Sequence, residues 1–148
     1  MFRYKQPAPA PAGPALVVWY TDTMDITATF KALQTEIETA GQQAYDYFAC
    51  GAAGNEVKSD GSVVTEIDKA IDTQLRTYID THFPDDEVVG EEDDSKPGTS
   101  GFVWHIDPID GTKAFIAGKP TFVTLIALCQ NGEPTLGLIS QPIKKKRW

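Results

Sequence analysis

The sequence has few cysteines, no long apolar run and a shortage of positive charge. Cys50 and Cys129 are its two cysteines, and because their spacing matches no CxxC or ligand pattern, neither a disulfide framework nor a zinc site is indicated. No apolar run approaches the ~18 residues that a membrane-spanning helix requires. The formal net charge of −8 disfavours binding to nucleic acid or to an anionic membrane. These absences predict a cytoplasmic protein with no nucleic-acid partner and no membrane partner.

The 148 residues divide into a short leader and one domain. Up to Pro14, prolines alternate with alanine, a composition that favours extended and poorly packed chain. We therefore predict a disordered leader over residues 1–23 and a globular domain over residues 24–148. The apolar fraction of 41% and the charged fraction of 23% are ordinary for such a domain. The sequence leaves open whether the natural start is Met1 or Met24.

Two amphipathic helices are predicted in the first half of the domain. Apolar residues recur at steps of three and four from Asp25 to about Ala49, which places them on one helical face. A loop through residues 58–61 is expected next, and a second helix is expected to start near Thr65. There the Thr65 hydroxyl can cap free backbone amides, with Asp68 in the position of a capping box. The predicted apolar faces comprise Ile26, Phe30, Leu33, Ile37, Ala40, Ala44 and Phe48 in the first helix, and Ile67, Ile71, Leu75, Tyr78 and Ile79 in the second.

The second half of the domain has the pattern of a sheet. Asn131-Gly132 is a strong signal for a tight hairpin turn, because both residues accept a positive φ. The order of helix, helix and then a mainly antiparallel sheet is typical of an α+β domain in packed layers. The predicted strands are Glu87 to Gly90, Phe102 to Asp107, Phe122 to Gln130 and Pro134 to Ser140.

The densest chemical signal is the segment Asp107-Pro108-Ile109-Asp110-Gly111-Thr112, which follows the apolar end of a predicted strand. Pro108 fixes φ and Gly111 allows a tight turn, so that Asp107 and Asp110 can converge on one point. Two carboxylates held together repel each other, and Mg²⁺ relieves that repulsion because it prefers oxygen ligands. The carbonyl oxygen of Ile109 can add a further ligand. The segment therefore predicts a magnesium site.

A second acidic pair, Glu91-Glu92, also follows a short predicted strand and can complete this site. Acidic ligands around Mg²⁺ are suited to phosphate-ester hydrolysis, because the metal neutralises phosphate charge and orients water. Each motif taken alone has a simpler interpretation: the aspartates can cap a turn, and the glutamates can belong to a solvated acidic loop. The order of the motifs along the chain is what favours the magnesium site.

Three motifs in this order resemble the inositol monophosphatase family. They are Val64-Thr65-Glu66-Ile67-Asp68, then Gly90-Glu91-Glu92, and then Trp104-His105-Ile106-Asp107-Pro108-Ile109-Asp110-Gly111-Thr112. The resemblance implies the N-terminal half of the layered αβαβα sugar-phosphatase fold. It covers roughly the first half of a family domain, so the chain is expected to lack a further aspartate ligand and most substrate contacts.

The resemblance also implies roles for individual residues. Those expected to bind catalytic Mg²⁺ are Glu91, Asp107, Asp110 and the Ile109 carbonyl, with Glu92 supporting them. The backbone amides of Gly111 and Thr112 are expected to hold phosphate. Asp68 and the Thr112 hydroxyl are expected to orient the attacking water. The mechanism so implied is direct in-line attack by a metal-activated water without a phosphoenzyme.

The segment after Thr112 is similar to the branch that dephosphorylates histidinol phosphate, although Lys113 and Lys119 stand where many relatives have arginine. Histidinol phosphate, in histidine biosynthesis, and inositol monophosphate are thus the leading substrates. Three alternatives stay open: a bisphosphate nucleotidase, a non-catalytic metal-binding remnant, and an interaction module. The family also makes a homodimer an alternative to a monomer. His82 and His105 are not predicted to be catalytic.

Overall fold

The computed structural model describes residues 26–51, 55–57, 63–92 and 94–148. The predicted leader, residues 1–23, and the predicted loop residues 58–61 lie outside this part of the chain. The helices are α1 (Ile26–Ala49), α2 (Glu66–His82) and the short α3 (Thr112–Ile116), with a 3₁₀ turn at Pro142–Lys144. The strands are β1 (Asn55–Val57), β2 (Val63–Thr65), β3 (Glu87–Gly90), β4 (Phe102–Asp110), β5 (Val123–Gln130), β6 (Glu133–Gln141) and β7 (Lys146–Arg147).

Both long helices form where the apolar periodicity predicts them. Helix α1 ends at Ala49, and α2 begins after Thr65, whose hydroxyl and Asp68 form the predicted capping box. The predicted faces from Leu33 onward in α1 and from Ile67 onward in α2 pack into one core, with Leu33 and Ile71 fully buried. Phe30, also on the predicted face of α1, is 37% exposed and borders a surface cavity beside residues 135–137 of β6. No helix in the described ranges has the length and apolar character needed to cross a membrane.

The main sheet has five strands in the order β3-β4-β5-β6-β7. Strands β3 and β4 pair in parallel, whereas the remaining pairs are antiparallel, which confirms a mainly antiparallel sheet. Asn131 and Gly132 adopt the predicted positive φ values, 50° and 86°, in the turn between β5 and β6. Helices α1 and α2 cover one face of this sheet, where Trp104, Ile126 and Leu138 alternate with residues of the opposite face. The fold class is α+β, as predicted.

Three local features were not predicted. Strands β1 and β2 pair antiparallel around the predicted loop, with Glu56 opposite Val64. Strand β4 continues to Asp110 instead of ending at Asp107, with a shift of register between these two residues. Pro108 lies inside this shift, and because proline has no amide hydrogen it interrupts the hydrogen-bonded ladder there. The short strand β7 pairs with the end of β6.

Candidate active site

The irregular end of β4 brings the predicted site residues to one edge of the sheet. Asp107 lies opposite Leu125, and Asp110 lies opposite Val123 beyond the register shift. Gly111 then adopts a φ of 97°, in the left-handed region that favours glycine, and starts α3. A Cβ at this position would stand 3.1 Å from the Thr121 carbonyl oxygen, so both the conformation and the limited space favour glycine.

An aromatic cluster fixes helix α3 against the rest of the domain. Phe115, in α3, packs edge to face on Phe122, with ring centroids 4.7 Å apart. Phe48, near the end of α1, contacts both rings at 5.6 Å and 5.2 Å. Such aromatic pairs contribute about 0.5–1.5 kcal/mol beyond their burial. The turn that contains Gly111 and Thr112 is therefore attached to the core through the next turn of helix.

Asp107 is the most strongly perturbed acid of the site. Asp107 is only 6% exposed, and the pKa of its carboxyl is raised to about 8, with burial as the largest cause. The negative charge of Glu91, a hydrogen bond with the Glu91 side chain, and the charges of Asp110 and Asp68 add to this rise in pKa. Glu91 and Asp110 are themselves exposed. The charges of Asp68, Glu91 and Asp110 thus all act on Asp107. Their role as a metal site stays a prediction.

Asp68 is buried at the start of α2, where the Thr65 hydroxyl and the Thr65 amide both donate to its Oδ2, the amide at 2.8 Å. Burial raises the pKa of Asp68 and outweighs these hydrogen bonds, which lower it, and the charge of Glu91 raises it further. Asp68 therefore caps the helix and also faces the acidic cluster. The two interpretations of this residue are compatible.

Thr112 has a different partner from the expected one. Its hydroxyl donates to the carbonyl oxygen of Ile109 at 3.0 Å, while Asp68 accepts from Thr65. The Thr112 hydroxyl is thus hydrogen-bonded to the Ile109 carbonyl, which is predicted to bind metal, and not to Asp68. A carbonyl oxygen has two lone pairs, so this hydrogen bond leaves one available. The roles of Asp68 and Thr112 towards water stay a prediction.

Two buried carboxylate oxygens suit a cation. Oδ1 of Asp107 and Oδ1 of Asp68 have no hydrogen-bond partner among the described residues. A buried, unpaired carboxylate oxygen is costly, and a hard divalent ion satisfies it. Within the described ranges, however, no three His, Cys, Asp or Glu side chains are already arranged to hold a metal. The ligand set of Glu91, Asp107, Ile109 and Asp110, with Glu92 in support, stays a prediction that the donor chemistry fits.

The remaining polar residues lie around this cluster or away from it. His105 borders a cavity of about 290 Å³ together with Asp107, on the face opposite the helices, as strand alternation predicts. His82 stacks on Tyr78 at the end of α2, with ring centroids 4.3 Å apart. Lys113 and Lys119 are exposed. No catalytic role is indicated for either histidine.

The Asp72–Arg76 pair is the part of this region that the sequence motifs did not identify. The pair joins Arg76 Nε to Asp72 Oδ2 at 2.5 Å, beside the strand that leads to Glu91. Its spacing of four residues in a helix was the available signal, because side chains at i and i+4 share a face.

Comparisons with known proteins agree on one family. The model described as "Inositol monophosphatase family" matches residues 24–148. The histidinol-phosphatase of Chlorobaculum parvum is 42% identical over 105 residues, which cover 71% of this chain and 40% of that protein. The histidinol-phosphatase of Mycobacterium tuberculosis is 39% identical over 63% of this chain and 36% of its own length.

Similar solved structures have the same fold over about four fifths of this chain. An IMPase from Thermotoga maritima superposes with a TM-score of 0.72 and 28% identity, covering 81% of this chain and 46% of that one. A suhB protein from Bartonella henselae gives a TM-score of 0.76 at 23% identity, covering 81% of this chain and 47% of that one, and supports the fold alone. The chain therefore spans less than half the length of these relatives.

Proposed function

Because the chain belongs to the inositol monophosphatase family, we propose that this protein is a magnesium-dependent phosphomonoesterase. The observation that carries the proposal is the buried carboxyl of Asp107, surrounded by the carboxylates of Glu91, Asp110 and Asp68. A cluster with this much negative charge disfavours an anionic substrate unless a cation is bound. We therefore interpret the acidic cluster as a site that binds a divalent ion first and a phosphate second.

The residues that would hold Mg²⁺ are Glu91, Asp107, Asp110 and the carbonyl of Ile109. Glu92, which is half-buried on the same segment as Glu91, would support them. When bound, the metal supplies charge neutralisation for the phosphate and a water of lowered pKa. Binding would also favour the ionised form of Asp107, whose pKa is raised in the free protein.

The chain's own residues would bind and orient the reactants. Asp68 is buried and held by Thr65, so its carboxylate can accept a hydrogen bond from the attacking water in a fixed direction. The amides of Gly111 and Thr112 would contact phosphate oxygens, since amides in the first turn of a helix lack a partner within that helix. Thr112 would join Asp68 in orienting the water once its hydroxyl turns from Ile109. No residue of this chain is required as a covalent nucleophile.

Histidinol phosphate is our first choice of substrate and inositol monophosphate the second. Relatives named as histidinol-phosphatases are 39% to 42% identical to this chain. Inositol monophosphate is proposed because the fold and a solved IMPase at 28% identity resemble this chain. A bisphosphate nucleotidase remains the third candidate, since it uses the same carboxylate chemistry.

A second candidate function is a non-catalytic metal-binding or interaction module. It is the alternative that the sequence leaves open, and the chain spans 36% to 40% of the two curated relatives described above. This candidate predicts binding of Mg²⁺ without turnover.

Phosphate release from the three substrates, with and without Mg²⁺, separates these candidates. Asp110→Asn should abolish release, because it removes one proposed ligand. Glu133→Gln is the matched control, since Glu133 is an exposed acid at the start of β6, at the end of the strands opposite to Asp110. Turnover that requires Mg²⁺ and is lost only in Asp110→Asn supports the phosphatase. Calorimetric Mg²⁺ binding without turnover supports the binding module, and neither signal contradicts both.

A further inference from the structure

The segment that bears Glu91 is attached to helix α2 through Arg76. The guanidinium of Arg76 donates from Nε to Oδ2 of Asp72 at 2.5 Å and from Nη1 to the carbonyl oxygen of Asp94 at 3.1 Å. The side chain of Asp72 is fully buried, and that of Arg76 is 13% exposed. A single planar group thus joins a buried carboxylate to the backbone just beyond Glu91 and Glu92.

Gly90 shows how closely this group approaches the end of β3. A Cβ at Gly90 would overlap Nη2 of Arg76 and stand 2.8 Å from Oδ1 of Asp72. The absence of a side chain at Gly90 therefore allows the guanidinium to lie against the backbone immediately before Glu91. The Arg76 contacts consequently flank the two glutamates, with Gly90 on one side and Asp94 on the other.

The same helix holds both sides of the acidic cluster. Asp68, Asp72 and Arg76 are spaced by four residues, so they follow one face of α2. Asp68 lies within electrostatic range of Glu91, whose charge adds to the effect of burial on the pKa of Asp68. Backbone hydrogen bonds between Val88 and Lys96, at 3.0 Å and 2.9 Å, close the segment at its base. Helix α2 thus contributes Asp68 directly and holds the Glu91 segment through Arg76.

We propose that Arg76, oriented by Asp72, is a positioning residue that holds Glu91 over Asp107. The inference rests on the proposed function, because it assigns Arg76 a role in presenting a proposed metal ligand. Arginine suits this role better than lysine, since its planar fork makes both contacts at once in fixed directions. A lysine would keep the charge near Asp72 but would lose one of the two hydrogen bonds.

Three variants test the proposal by Mg²⁺ calorimetry and by amide hydrogen exchange. Arg76→Lys should weaken Mg²⁺ binding and speed exchange in residues 91–96. The double variant Asp72→Leu with Arg76→Met should weaken binding further, by roughly 10-fold or more. It removes both partners, because a lone buried Asp72 would endanger the fold, whereas replacing a whole buried pair is often tolerated. Arg147→Met is the control, since Arg147 pairs with Glu38 on the surface, at the opposite edge of the sheet from β3, and should leave both Mg²⁺ affinity and exchange in residues 91–96 unchanged.

The outcomes separate this inference from the proposed function. Weaker Mg²⁺ binding together with faster exchange confined to residues 91–96, and unchanged exchange in β5, supports the proposal. Wild-type affinity and wild-type exchange in the double variant would overturn it. If the wild-type chain binds no Mg²⁺, the proposed function fails. The exchange rates of the double variant then decide the role of Arg76. Faster exchange in residues 91–96 supports the proposal that Arg76 holds this segment, and unchanged exchange overturns it.

Discussion

Replacing Asp107 with asparagine should make the metal-free protein more stable at neutral pH. The pKa of Asp107 is raised from 3.8 to about 8, mainly by burial and then by Glu91. The folded state therefore holds a proton on this carboxyl that the unfolded state has released between about pH 4 and pH 8. The stability linked to this proton is fully present below about pH 4 and is lost as the pH rises through about 8.

The magnitude follows from the same linkage. For a carboxyl that is protonated only in the folded state, each unit of pH increase lowers the free energy of unfolding by about 1.4 kcal/mol. Between pH 5 and pH 7.5 this amounts to roughly 3 kcal/mol, a large part of the total stability of a small domain. Asparagine has a similar shape and no charge, so Asp107→Asn should abolish this part of the pH dependence.

Urea unfolding at pH 5 and pH 7.5, with a chelator present, measures this difference directly. We expect the gain in stability of Asp107→Asn over wild type to be about 3 kcal/mol larger at pH 7.5 than at pH 5. Glu133→Gln is the control, because Glu133 is exposed and is not among the groups that raise the pKa of Asp107, so the difference between Asp107→Asn and wild type should not appear in it. An Asp107→Asn variant whose stability falls with pH as steeply as that of wild type would refute the reasoning.

Three further substitutions test local parts of the fold by urea unfolding. Thr65→Ala should cost about 1 kcal/mol, because it removes the hydroxyl that caps α2 and contacts Asp68; no loss would contradict the capping box. Gly111→Ala should cost about 1–3 kcal/mol, because alanine is strained at a φ of 97°, and a neutral result would argue against this turn. Trp104→Phe should cost about 1–3 kcal/mol, because it deprives buried Asp86 of an indole donor at 2.8 Å; wild-type stability would show that this hydrogen bond contributes little.

Much of the secondary structure was predictable because it depends on neighbours along the chain. The helical period of three and four residues located α1 and α2, and the Thr65–Asp68 spacing located the start of α2. Asn131-Gly132 located the hairpin between β5 and β6, since the residue types themselves favour positive φ. The end of β4 was predicted too early, because the strand continues past Pro108 through a shift of register.

The pairing partners of the strands were less predictable, because they depend on residues distant in sequence. Strand β3 joins β4 in parallel across a connection that contains the Glu91 segment, and no local pattern specifies this neighbour. The short pair of β1 and β2 has too few residues for a clear alternation. Phe30 follows the helical period but remains partly exposed, since burial depends on what packs opposite.

By itself the sequence determined the α+β class, the main helices and strands, and the order of acidic motifs that resembles a phosphatase family. These properties are properties of residue type and spacing. Only the tertiary structure decided that Glu91 contacts Asp107, that burial raises the pKa of Asp107, and that Arg76 reaches the backbone beyond Glu91. Burial and contacts between distant segments depend on the packing of α2 against the sheet, and spacing along a chain contains no measure of either.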